Sequence, residues 1–188
     1  LLALLTVFSC MDQTKTSLTQ HPLDQSESRT LVLENGLKVY LLSDPKFNMS
    51  AASMAVEVGS LENPQDREGI AHFLEHMLFL GTEKFPDVDE YSEYLRTYGG
   101  YANAYTASDH TNYQLQVLPD GFEGAIDRFA QFFIAPLFTD EYTEREVNAV
   151  NSEHQKNIMS DNWRQFRVTS LFAKEGHPIR KFGTGNLE

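Results

Sequence analysis

Residues 68–81 read EGIAHFLEHMLFLG, and whether this stretch is a helix decides how the rest is read. Ile70, Phe73, Leu74, Met77 and Leu78 recur at the three- and four-residue spacing that lines one helix face. Gly81 follows as a stop. On such a helix His72 and His76 lie about 40° apart around the axis and one turn along it, so both rings point the same way. Glu75 lies about 60° to the other flank of His72. Two imidazoles at this separation can share one zinc ion, and a carboxylate beside them can reach a water on that ion. The bland alternative is a core helix with two satisfied histidines and a partly exposed glutamate. Against it, a charged Glu75 bordered by Phe73 and Met77 is costly to bury without a purpose.

A catalytic zinc needs a third protein ligand and an open position. The stretch 139–159 reads as a long polar helix capped near Thr139 or Asp140, and it offers Glu146 and Glu153. Seven residues apart, the two share a face but are separated by ~10 Å of rise. With zinc–oxygen bonds of ~2.0–2.2 Å both cannot easily reach one ion, so one is expected to be a ligand and the other to orient a histidine ring. Spacing alone does not say which.

Outward from this pair, the pattern mixes strands and helices. Asn35-Gly36, inside RTLVLENGLKVYLLS, predicts a tight hairpin turn in which both residues tolerate positive φ. Residues 50–60 read as a third strand with small residues suited to a covered sheet. YANAYTAS and TNYQLQVLP read as two more, around a turn at Ser108-Asp109-His110. Residues 87–98 form an amphipathic helix ended by Gly99-Gly100. Residues 120–135 form another, with Phe122, Ile126, Phe129 and Phe133 on one face, and 162–173 a further one. This predicts an α+β fold with a mostly antiparallel sheet packed with helices. Trp163 and the phenylalanines read as core. His154 turns about 100° from Glu153 and reads as a surface histidine; His110 reads as structural, and His21 and His177 as loop residues.

With 188 residues, 41% of them hydrophobic, the chain can build one packed domain with a sizeable core. A net charge of −12 without a Lys/Arg cluster argues against a nucleic-acid binder, which needs a cationic footprint. Residues 1–10, LLALLTVFSC, read as the apolar core of an export signal, too short to span a bilayer. The Met and basic region that open such a signal are missing, which reads as a record cut at its N-terminus. Val7-Phe8-Ser9-Cys10 resembles a bacterial lipoprotein cleavage box, so Cys10 is expected to become a lipidated N-terminus that anchors a periplasmic protein to a membrane. A single cysteine leaves no internal disulfide. Residues 11–28 are polar, without period, and read as a flexible tether. KFGTGNLE ends without a closing element, and the natural chain is expected to continue.

The order of His72, Glu75 and His76 is H-x-x-E-H, the reverse of the commoner zinc-peptidase order. Between His76 and Glu153 lie 76 residues, and Glu146 stands seven before Glu153. GIAHFLEHMLFLGTEKFP, YGGYANAYTASDHTNY and NSEHQKNIMSDNWRQF with KFGTGN carry the likeness further, across residues 29–188. On these residues the chain resembles the pitrilysin- and insulysin-type inverzincins, peptidase family M16, and in particular the insulysin branch. The resemblance implies a LuxS/MPP-like metallohydrolase fold and an N-terminal catalytic domain over 29–188, incomplete at its C-terminal end. It implies one zinc ion held by His72, His76 and Glu153, with Glu75 as general base and Glu146 orienting a ligand. The reaction implied is peptide hydrolysis by a zinc-activated water. It also makes YANAYTAS the strand whose edge pairs with an extended substrate, with Asn103 and Ala104 contacting it near the cut bond.

Two other functions compete. Folds of this family also serve as non-catalytic peptide-binding partner subunits, which usually lack part of the ligand set; here all five positions are filled. A structural zinc domain would need a fourth protein ligand, for which no motif speaks. The expected partners are peptide substrates and a C-terminal half, supplied by the same longer chain or by a partner subunit.

Overall fold

The structure, a computed structural model, describes residues 21–187. Cys10, the apolar run 1–10 and residues 11–20 of the expected tether lie outside the described residues. The chain divides into two units after Asn48.

The first unit holds an antiparallel hairpin of β1 (Glu27–Val32) and β2 (Lys38–Ser43). β1 starts at Glu27, so the last two positions assigned to the tether are strand. Of Asn35-Gly36, only Gly36 takes a positive φ, at 85°. The Gly36 N–H donates to the Leu33 carbonyl, and the Leu33 N–H donates to the Leu37 carbonyl. Asn35 acts through its side chain instead, accepting from the Leu37 N–H at 3.1 Å. A turn closed by one left-handed glycine therefore replaces the expected two-residue turn.

The second unit is built on a three-stranded sheet of β3 (Ser50–Val56), β4 (Tyr101–Thr106) and β5 (Thr111–Val117). The order is β3-β5-β4 and every pair is antiparallel. β3 stops at Val56, four residues short of the stretch expected from sequence. Thr111, Tyr113, Leu115 and Val117 of the central strand are buried, and the residues between them face the other way. Register places Ala102, Ala104 and Thr106 of β4 beside Leu115, Tyr113 and Thr111 on the covered face. Tyr101, Asn103 and Tyr105 share the open face with Asn112, Gln114 and Gln116.

Among the described residues five α-helices stand where helices were expected, α1 (Ile70–Met77), α2 (Glu90–Thr97), α3 (Phe122–Ile134), α4 (Asp140–Asn157) and α5 (Asp161–Leu171), but of the apolar residues expected on one face of α1, Ile70 and Leu74 are exposed. The core joins Leu78, Tyr91 and Leu95 to the inner face of β5 and to Ala125, Phe129 and Phe132 of α3. Arg128 of α3 forks onto the Glu90 carboxylate, its Nε donating at 2.8 and 3.0 Å, while its plane lies over the Tyr94 and Phe85 rings. Two expectations about α3 and α5 need correction. The buried stripe of α3 runs through Ala125, Phe129 and Phe132; Ile126 stands on its rim, exposed. Trp163 and Phe166 of α5 are not core but half-exposed, edge-to-face with each other. Phe47, Phe138 and Phe172 are exposed as well. An aromatic ring signals apolar surface, and the sequence does not say whether the chain itself covers it.

Candidate active site

The site begins where α1 begins. Gly69 enters the helix with φ 90°, and no side chain at that position caps it. Asn63 supplies the cap from outside, its Oδ1 accepting from the Ala71 N–H at 3.0 Å. A strap of residues 181–186 lies over this end. Lys181 donates its ammonium to the Leu61 and Asn63 carbonyls, and Glu68 accepts from the Phe182 N–H at 2.7 Å. Gly69 and Gly185 approach so closely that a Cβ on Gly69 would stand 2.5 Å from the Gly185 Cα. On its other sides α1 packs against α4 and β4, where Ala102 and Ala104 are small enough to let it come near.

This packing aims the two histidines. The His72 Nδ1 meets the Thr184 carbonyl at 2.8 Å, and the His76 Nδ1 meets the Glu146 Oε2 at 3.1 Å. A carbonyl and a carboxylate only accept, so each contact places a proton on Nδ1 and leaves Nε2 as the nitrogen that can bind a metal. Both Nε2 atoms then face the same oxygen, Glu153 Oε2, at 3.4 and 3.8 Å. Those separations are too long for good hydrogen bonds. They lie at and slightly above the ~3.4 Å between two ligand atoms held ~2.1 Å from a tetrahedral metal. The ligand atoms of His72, His76 and Glu153 all lie within 4.8 Å of one another. The donor set therefore fits a zinc ion: two imidazoles of fixed tautomer and one carboxylate, with a position left open. Glu146 stands off this cluster, nearly buried, with Arg145 on its other oxygen at 3.2 Å. Of the two glutamates that spacing could not separate, Glu153 faces the histidine lone pairs and Glu146 backs a ring.

Glu75 is 7% exposed, so its charge is kept in a nearly closed place. Its Oε2 accepts from the Thr106 hydroxyl at 2.6 Å. Thr106 in turn stands 3.3 Å from the Thr111 hydroxyl, which donates to the Val58 carbonyl at 2.9 Å. Burial pushes the Tyr113 phenol above its ordinary range, and the Glu75 charge adds to this, so Tyr113 stays neutral beneath the site.

His72, Glu75, His76 and Glu153 open into one cleft of ≈1570 Å³. β4 forms one wall. Among the described residues it pairs only with β5, so its other edge has no strand partner. Asn103 and Ala104 both line the cleft, Asn103 exposed on the open face and Ala104 half-buried on the covered one. His154 is not a plain surface residue: its ring packs edge-to-face on Phe182 at 4.9 Å and it lines the cleft. His110 sits in the exposed β4–β5 turn, its Nδ1 2.7 Å from Asp109, whose carboxyl that contact holds below its usual range. Sequence reasoning missed Thr106, Asn63 and the Thr184 carbonyl. Thr106 was within reach, because strand alternation places it on one face with Ala102 and Ala104. A backbone carbonyl has no signature in sequence.

Known proteins are similar to this chain in sequence and fold. The model of the insulinase family, peptidase family M16, matches residues 38–175. Human insulin-degrading enzyme is 50% identical over 169 residues, covering 90% of this chain and 17% of the human protein. The Drosophila melanogaster insulin-degrading enzyme is 55% identical over 163 residues, 87% of this chain and 16% of its own. A crystal structure of pitrilysin superposes with a TM-score of 0.88 at 39% identity, over 93% of this chain and 19% of that one. The chain thus spans about one-sixth of the length of the curated relatives it matches. With a family model matched over well more than half its length, and the same fold around its paired histidines, the chain belongs to the insulinase family, peptidase family M16.

Proposed function

We propose that the protein carrying this chain is a zinc-dependent metalloendopeptidase that hydrolyses oligopeptides or small proteins. His72, His76 and Glu153 would hold the ion, Glu75 would act as general base, and Glu146 would orient His76. One observation carries the reading: two Nε2 atoms and one carboxylate oxygen converge while both Nδ1 atoms are already occupied. Zinc held there supplies Lewis acidity, which acidifies water and polarises a peptide carbonyl. The chain's residues do the rest. Glu75 takes a proton from the attacking water as the oxygen bonds to the carbonyl carbon, and delivers it to the leaving amine as the C–N bond breaks. The edge of β4, which has no strand partner among the described residues, would offer main-chain donors and acceptors to an extended peptide, giving affinity with little sequence preference, and Asn103 and Ala104 would lie beside the cut bond. The relatives include proteins named for cleaving insulin and for processing a-factor, which supports a peptide substrate.

A non-catalytic peptide-binding subunit has less support, because no ligand position is missing. The test is peptide cleavage by the whole protein after chelation and after zinc is returned. Loss on chelation and recovery with about one zinc per site are expected. Cleavage that survives full metal removal would overturn the reading.

A further inference from the structure

We propose that Thr106 is the positioning residue for Glu75, its hydroxyl holding one carboxylate oxygen so that the other faces the bond to be cut. The inference rests on the reading of Glu75 as general base. An ionised carboxylate only accepts hydrogen bonds, so the single proton of the Thr106 hydroxyl is committed to Glu75. The 2.6 Å separation lies in the range of a charge-assisted O–H···O⁻ bond. No other donor reaches the Glu75 carboxylate among the described residues, and Oε1 accepts nothing. A glutamate near the end of a helix has several rotamers open to it, and one strong bond selects among them.

The holder is itself held. Thr106 is the last residue of β4, in register with Thr111 of the central strand. Its β-branched side chain is stiff about χ1. The Thr111 hydroxyl gives its proton to the Val58 carbonyl and has none to offer Thr106, so Thr106 is the donor of this chain, and its proton goes to the Glu75 carboxylate at 2.6 Å in preference to the neutral Thr111 oxygen at 3.3 Å. Ala102 and Ala104 share the covered face of β4 and carry no polar side-chain atom. A hydroxyl at position 106 is therefore the one polar group that β4 presents on that face, and it meets the one carboxylate that α1 presents to the sheet.

The test compares wild type, Thr106→Val, Thr106→Ser and Glu75→Gln in the whole zinc-loaded protein. Valine keeps the shape of threonine and suits a strand; serine restores the hydroxyl alone. Thr106→Val is expected to lower kcat by about tenfold or more, with KM changed by less than about twofold and zinc content unchanged. Thr106→Ser is expected to recover most of the loss. Crystal structures of the variants give a readout independent of turnover: Glu75 should leave its position in Thr106→Val and regain it in Thr106→Ser. Wild-type kcat in Thr106→Val, equal losses in both variants, loss of zinc, or an unmoved Glu75 would each overturn the inference. A Glu75→Gln variant as active as wild type would overturn the general-base reading itself, and this inference with it, whatever the Thr106 variants do.

Discussion

Glu146 and Glu153 are the same residue type on the same helix, and the imidazole nitrogen each one meets separates their roles. Glu146 meets the His76 Nδ1 at 3.1 Å, the contact by which, in the proposed centre, it would orient that ring and strengthen its donor nitrogen. Glu153 instead faces the Nε2 atoms of both histidines, at 3.4 and 3.8 Å, and would join them around the proposed zinc ion. The prediction is graded. Glu146→Ala should weaken zinc binding by about 10–100-fold, and Glu153→Ala should weaken it further. Competition with a chelating dye measures both; equal losses would mean that the two glutamates are not divided in this way. That the two glutamates stand apart along one helix face was legible in the sequence, because seven residues span about two turns. Which one does which depends on what stands opposite α4, and helix spacing says nothing about that. The Thr184 carbonyl on His72 was illegible for a different reason: any residue offers a carbonyl.

At the scale of elements, the site depends on how α1 is entered. Gly69 and Gly185 both take left-handed φ, 90° and 89°, and their backbones nearly touch. That contact brings the Thr184 carbonyl onto His72. Gly69→Ala would cost about 1–3 kcal/mol for the backbone conformation alone. Its Cβ would also meet Gly185 backbone atoms that cannot turn aside, so the strap must lift. The expected result is a lower melting temperature together with weaker zinc binding; unchanged zinc affinity would mean that the strap does not hold His72. The helices and strands themselves were legible wherever apolar residues repeat with a clear period, as in α1, α2 and β5. Errors arose where period and burial part company. Ile126 fits the repeat of α3 but stands on its rim, and Trp163 has the bulk of a core residue yet half its surface is open. In the hairpin, Asn-Gly marked the turn correctly, but the Asn35 side chain took a hydrogen bond that made a left-handed backbone unnecessary there.

At the scale of the whole molecule, the chain spans about one-sixth of its curated relatives, yet every residue of the proposed centre is contained in it. Glu75, the histidines and Glu153 line a cleft whose wall is a strand edge with no partner among the described residues. Much apolar surface stands open on α5, at Trp163, Phe166, Val168 and Leu171. The central claim is that this cleft cuts peptides, with Glu75 moving the proton. It is tested most directly by following a quenched fluorescent peptide with the whole protein and its Glu75→Gln variant, with zinc measured on both. The account predicts a loss of about 10²–10⁴-fold in the variant with zinc retained. Equal cleavage by both proteins, or zinc bound with no cleavage by wild type, would contradict it.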